Sequence, residues 1–129
     1  MSPSLDLAAL ADPTDPGTDP FALAHAAAAV IAERTQVARH DVALVLGSGW
    51  GQTADLVGET CTTIDNADVP GFQKAAVAGH SGSMRSVTIG DTGARALVFG
   101  TRTHFYEGRG VRAVVHAVRT AKAAGCHTI

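Results

Sequence analysis

The stretch VALVLGSGWG, residues 42–51, decides how this chain is read. Val42–Leu46 form an unbroken apolar run that leads directly into Gly47, Gly49 and Gly51, with Ser48 and Trp50 between the glycines. A short apolar run ended by glycine is the pattern of a buried strand. The glycines after it leave the main chain free of Cβ atoms, so an oxyanion can approach the N–H groups closely. A short helix opening near Gly51 would add the positive end of its dipole. A dinucleotide would call for GxGxxG, but the position completing that spacing is Gln52. A nucleoside triphosphate would call for GxxxxGK[ST], and no lysine lies near. A free phosphate or a small phosphorylated group remains, beside the alternative of a tight strand-to-helix turn that binds nothing.

Outward from this stretch the chain reads as strands alternating with helices. Asp19-Pro20 supplies an N-cap and a proline at the first helical position, and FALAHAAAAVIAERTQ continues as a strong helix former. His25 lies on that helix and reads as a surface or interface residue. His40 and Asp41 fall in the turn before the first strand. One or two helical turns are expected over 53–58, and CTTIDNADV is ambiguous but compatible with a strand. PGFQKAAVAGHSGS reads as a loop. Met84–Ile89 and Arg95–Phe99 bracket GDTGA, which carries the glycines of a hairpin turn. In VRAVVHAVRTAKAAG the valines 111, 114, 115 and 118 recur at helical spacing and are expected to face a core, with Arg112, His116 and Arg119 on the opposite side. Gly125 suits the position after that helix, and CHTI opens another strand. The alternation predicts an α/β fold with a central mixed β-sheet flanked by helices, interrupted at the C-terminal end.

Composition sets the outer limits. The chain has 129 residues, 46% hydrophobic and 17% charged, which suits one globular domain rather than a disordered chain. Residues 1–18 hold three of the five prolines and are read as a mobile arm, with 19–129 as part of a single α/β domain. No apolar run reaches bilayer length, and the first residues lack the basic and apolar regions of a secretory signal. A cytoplasmic protein without a membrane partner is therefore expected. Cys61 and Cys126 form no CxxC pair; a disulfide stays open, with two lone thiols the blander reading. The net charge of −2 conceals three basic and ten acidic residues over 1–84 against seven basic and two acidic over 85–129. A basic second part favours an anionic ligand. Nucleic acid is the weaker reading, because the basic residues are scattered and only one aromatic pair lies among them.

A second constellation stands in GTRTHFYEGRG, directly after the strand ending at Phe99. If residues 102–106 are extended, Arg102, His104 and Tyr106 share one face, with Thr101, Thr103, Phe105 and Glu107 on the other. Arginine offers a planar fork of donors to phosphate oxygens, histidine a titratable donor, and tyrosine a ring for a sugar with a hydroxyl at its tip. An exposed polar strand edge is the alternative. In VAGHSGSMR, His80 and Ser81 sit between Gly79 and Gly82, so a histidine is presented on a loop. No metal site is expected: HExxH is absent, and the six histidines lack ligand spacing.

Taken in order, LVLGSGWG, VPGF, VAGHSG, GTRTHFYEG and VHAVRTAKAAG resemble the trimeric class of purine nucleoside phosphorylases, from about residue 20 onward. The resemblance implies a homotrimer that cleaves purine nucleosides with inorganic phosphate as co-substrate and needs no organic cofactor or metal. It implies that Ser48, His80, Arg102 and His104 bind phosphate, that Tyr106 contacts the ribose, and that Glu107 orients His104 for catalysis. Two positions depart from the family pattern: Thr101 stands where a glycine is usual, and Gln73 where a proline is frequent. The residues that read the purine come from later in such chains. The expectation is thus a phosphate site and part of a ribose site without a base site, inactive by itself. The rival is a non-catalytic anion-binding fragment or interaction module, and a nucleotide-binding domain is disfavoured by the failed GxGxxG.

Overall fold

The computed structural model describes residues 12–46, 53–72, 82–101, 104–108 and 110–129. Asp12–Thr18 run through successive turns closed by their own aspartates: Asp12 accepts from the Thr14 main chain at 2.8 Å and Asp15 from Gly17 at 2.8 Å. Arg112 donates to the carbonyls of Asp15 and Thr18, at 3.4 and 3.3 Å, and Thr18 is buried. Helix α1, Pro20–Thr35, starts as its sequence requires. The Asp19 carboxylate accepts from the main chain of Phe21 and Ala22, and proline occupies a position whose N–H would have no partner. It ends at Gln36, whose φ of 59° is left-handed.

Strand β1, Val42–Val45, follows, then a single helical stretch α2, Thr53–Val57. Strand β2 spans Glu59–Asp65 and ends in a 3-10 turn over Asn66–Asp68, where Asp65 caps the Ala67 N–H. Strands β3, Ser83–Ile89, and β4, Ala94–Phe99, form the hairpin that GDTGA announces, with Gly90 and Gly93 at φ 52° and 76°. Among the described residues the sheet has the order β1-β4-β3-β2. β1 runs parallel to β4, and the other two pairings are antiparallel, so the sheet is mixed. A parallel bridge from Val42 to Thr128 lies on the outer edge of β1, where CHTI was expected to open a strand.

Alternation along β4 distributes the core over both faces. Leu97 and Phe99 join Met84, Ile64 and Ala43 under Ala27, Ala28 and Ile31 of α1 and Ala121 and Ala124 of the last helix. Ala96 and Val98 join Val87 and Leu46 on the other face, with Val57 of α2 packed against them. The burial on both faces accounts for the continuous apolar runs in the sequence.

The last helical region corrects its sequence reading. It is two pieces, α3 over Val111–Val114 and α4 over His116–Ala123, separated by Val115 at φ −93° and ψ 0°. Val111 and Val118 are exposed at 61% and 45%, whereas His116, expected on the solvent side, is 3% exposed. The buried positions 113, 116, 120, 121 and 124 keep helical spacing across Val115, so the face that packs inward is the one with His116 and the small residues, opposite Val111 and Val118. Beyond Val115, α4 meets α1 through Ala121 and Ala124, whose small side chains fit beside the alanines of α1. Gly125, at φ 102°, closes α4 in a Schellman arrangement: Cys126 N–H donates to Ala121 O, and Gly125 N–H to Lys122 O.

Candidate functional site

One end of the sheet collects the chain segments that matter for chemistry. β1 and β4 are parallel, and Leu46 N–H donates to Phe99 O at 3.0 Å, so both strands end there. β3 begins there, since Met84 pairs with Phe99 and Gly100 N–H donates to Ser83 O at 3.0 Å. β2 ends there too, with Asp65 opposite Ser83 and Asn66 N–H donating to Gly82 O at 3.0 Å. Leu46, Asn66, Gly82 and Thr101 are therefore the described residues at one edge. Carboxyl ends of strands are where open α/β sheets bind ligands. Ser48, His80 and Arg102 lie outside the described residues, as does Gln73; in the chain, Ser48 follows Leu46 by two positions, Ser81 precedes Gly82, and Arg102 follows Thr101.

His104, Tyr106 and Glu107 are described, and their geometry differs from an extended strand. Phe105–Glu107 form a 3-10 turn in which Glu107 N–H donates to His104 O at 3.0 Å. The Glu107 carboxylate folds back to accept from the His104 main-chain N–H at 2.5 Å, an acidic group serving the start of a turn as in a capping box. The reason is local: Glu107 stands three residues after His104, the spacing at which a carboxylate reaches an unpaired turn N–H. The turn still brings the imidazole of His104 and the ring of Tyr106 together, stacked at 4.7 Å and 10°. Tyr106 is 82% exposed and His104 partly buried, so the pair presents a phenol and an aromatic face outward.

Behind this end lies a second aromatic group with a structural task. His116 Nε2–H donates to Pro70 O at 2.8 Å, and its ring packs on Phe72 at 4.8 Å. Phe72 in turn stacks on Phe99, centroids 5.8 Å apart. Burial lowers the His116 pKa below the ordinary 6.5, opposed by the Pro70 carbonyl and reinforced by Arg119. His40, buried with its Nε2 2.8 Å from Ser86 Oγ, is lowered likewise by burial and by Arg95, against Asp41. Both are held neutral and structural. His25 is exposed on α1, as read.

The sequence reading passed over Asn66 as a site residue. Its Nδ2 donates to Thr101 Oγ1 at 3.2 Å, which gives a partner to the residue noted above as a departure from the family pattern. The Asp-Asn dipeptide is a turn signal, but nothing in it announces a contact with residue 101. Cys61 and Cys126 are both free thiols, and burial together with Asp41 raises Cys126 to about 11. Among the described residues no cluster of three or more His, Cys, Asp or Glu could hold a metal, and no helix is long and apolar enough to cross a membrane.

No family model matches the chain. Individual proteins match it well. It is 55% identical over 118 residues to a purine nucleoside phosphorylase of Cellulomonas sp, covering 89% of this chain and 42% of that protein. It is 50% identical over 111 residues to a purine nucleoside phosphorylase of Mycobacterium tuberculosis, covering 86% of this chain and 41% of that one. Among solved structures, a purine nucleoside phosphorylase in complex with ribose-1-phosphate superposes with a TM-score of 0.70 at 29% identity, over 82% of this chain and 37% of that chain. The Schistosoma mansoni enzyme in complex with acetate gives 0.69 at 30% identity, over 81% and 37%. Mixed sheet and flanking helices thus define an α/β architecture of the nucleoside phosphorylase type. More narrowly, the curated relatives that the chain matches at 50–55% identity are purine nucleoside phosphorylases, and it spans about two fifths of their length.

Proposed function

We propose that the protein carrying this chain is a purine nucleoside phosphorylase. It cleaves the N-glycosidic bond of purine ribo- and deoxyribonucleosides with inorganic phosphate, giving the free base and the pentose 1-phosphate. This chain supplies the phosphate site and part of the ribose site. Ser48, His80, Arg102 and His104 hold the phosphate, Tyr106 lies against the ribose, and Glu107 fixes the turn that carries His104. The observation that supports the reading is the common end of the sheet: β1 and β4 end there and β3 begins there, and each strand lies three residues along the chain from one of Ser48, Arg102 and His80. The sequence identity to named phosphorylases supports it independently.

The chemistry suits such a site. Breaking the glycosidic bond builds positive charge on the pentose, and a bound phosphate dianion stabilises it. The same phosphate attacks the anomeric carbon, so holding it beneath the sugar supplies proximity. The departing purine takes a proton or hydrogen bond at its ring nitrogens, which a glycine-serine turn and an arginine do not deliver; that task falls to residues beyond this chain. No cofactor or metal enters the reaction. The complete protein is proposed to be a cytoplasmic homotrimer.

Phosphate-dependent release of hypoxanthine from inosine is the test. The complete protein is expected to show it, and the 129-residue chain alone is not. Arg102→Ala is expected to raise the KM for phosphate at least about tenfold, since a charge-assisted hydrogen bond contributes roughly 1.5–3 kcal/mol. Unchanged kinetics would return Arg102 to the role of a surface strand residue.

A further inference from the structure

Asn66, Gly82 and Thr101 meet at the site end of the sheet, and the chemistry proposed above uses none of them. Asn66 is 8% exposed. Its main-chain N–H donates to Gly82 O at 3.0 Å, and its Nδ2 donates to Thr101 Oγ1 at 3.2 Å. A Cβ placed on Gly82 would stand 2.2 Å from Thr101 Oγ1 and 2.7 Å from Asn66 Nδ2, so any larger residue at 82 would displace one or both of these side chains. The Oδ1 of Asn66 is buried and has no hydrogen-bond partner among the described residues. An apolar side chain at 66 would leave no such acceptor, so packing alone does not account for an amide there.

Asn66 joins two chain ends, Gly82 through its main-chain N–H and Thr101 through its side-chain amide. Gly82 is bonded to Ser81, next to His80, and Thr101 is bonded to Arg102. β3 and β4 are already paired as far as Met84 and Phe99, and Gly100 N–H reaches Ser83 O. Beyond that point the regular ladder stops, and the side chain of Asn66 continues the cross-connection from a third strand. We infer that Asn66 is a positioning residue for phosphate, acting through Gly82 and Thr101 on the points where the segments bearing His80 and Arg102 leave the sheet. This rests on the functional reading above. Phosphate recognition by separate segments depends on their relative placement, and small misplacements are costly to such sites.

The test is steady-state kinetics of the complete protein with Asn66→Ala, Thr101→Val, their combination and Thr101→Ser, each with its thermal midpoint. Thr101→Val keeps the shape and removes the hydroxyl, so it remains informative if Asn66→Ala fails to fold. Each single change is expected to raise the KM for phosphate about threefold to tenfold, the range set by one neutral hydrogen bond. The double variant is expected to be no worse than the worse single one, because both remove the same interaction. Thr101→Ser should behave as the unsubstituted protein. The KM for nucleoside, and kcat at saturating phosphate, should stay within about twofold, since the bond acts on phosphate placement. An unchanged phosphate KM in both single variants overturns the inference. So does a lowered midpoint with kcat and both KM values changed in parallel, which is the signature of a purely structural residue. If the unsubstituted protein shows no phosphate-dependent cleavage, the functional reading falls and this inference with it; activity with an unmoved phosphate KM sinks the inference alone.

Discussion

The two ends of the sheet are closed by different means. At the hairpin end the chain turns on itself: Gly90 and Gly93 take positive φ with open space around them. Thr92 Oγ1 donates to Ile89 O and accepts from Ala94 N–H, so the turn itself is closed within a few residues, and distant partners enter only at the strands beside it, where Arg95 N–H donates to Asp41. At the site end the closing contacts come from distant parts of the chain. Asn66 reaches Thr101, His116 reaches Pro70, and Phe72 stacks on Phe99. Glycine serves φ at the first end and room at the second, where Gly82 has side chains against it. Local turn chemistry suffices to reverse a chain; bringing several segments to one ligand takes packing between elements.

This contrast is open to attack by substitution and by pH. Gly71→Ala should have the largest effect, because position 71 combines both requirements. Its φ is 81°, and an added Cβ would lie 2.3 Å from His116 Nε2. Left-handed backbone and overpacking together should cost about 3 kcal/mol, read from the urea midpoint. A loss under about 1 kcal/mol would mean that the His116 contact yields easily and does not fix this end.

Acid should come next. The fold holds His40 and His116 neutral, with pKa values below 6.5, while the unfolded chain takes up protons near 6.5. Their contribution is therefore fully present above pH 6.5 and falls as pH drops below it, by at most about 1.4 kcal/mol per pH unit for each histidine. Below both folded-state values the decline from these groups ends. Urea midpoints measured from roughly pH 7.5 to 5, the window around that ordinary value, should fall with acid. His116→Gln keeps a donor for Pro70 and should flatten the profile. A profile equally steep in that variant would assign the acid sensitivity elsewhere.

Gly93→Ala is the control at the hairpin end. Its cost should be about 1 kcal/mol from φ alone, with phosphate kinetics unchanged. If it raised the phosphate KM as Asn66→Ala is expected to, the two ends would not be independent. Val118→Ala should change stability by less than about 0.5 kcal/mol, because the side chain is largely on the surface. A larger loss would restore the core role that helical spacing first suggested.

Much of the fold was legible because its signals are local. Asp19-Pro20 capped α1, the apolar run at 42–46 became β1, and GDTGA turned the β3–β4 hairpin. The valine stripe misled, since the buried face, which carries Ala113, His116, Thr120 and Ala121, has the same helical period and is made of small and polar residues that hydrophobicity does not single out. For the site, the sequence singled out His104, Tyr106 and Glu107, but a strand pattern was assumed where a carboxylate three residues away favours a 3-10 turn. The 35 residues separating Asn66 from Thr101 carry no trace of their contact.

By itself, then, the sequence determined the element types, the turn residues and the list of groups able to bind an oxyanion. These depend on backbone preferences and side-chain chemistry, which act within a few residues. Only the tertiary structure decided that β1 and β4 run parallel, which face of α4 is buried, and that Asn66 joins Gly82 to Thr101. Those outcomes depend on which surfaces exclude water together, and that is a property of the packed chain as a whole.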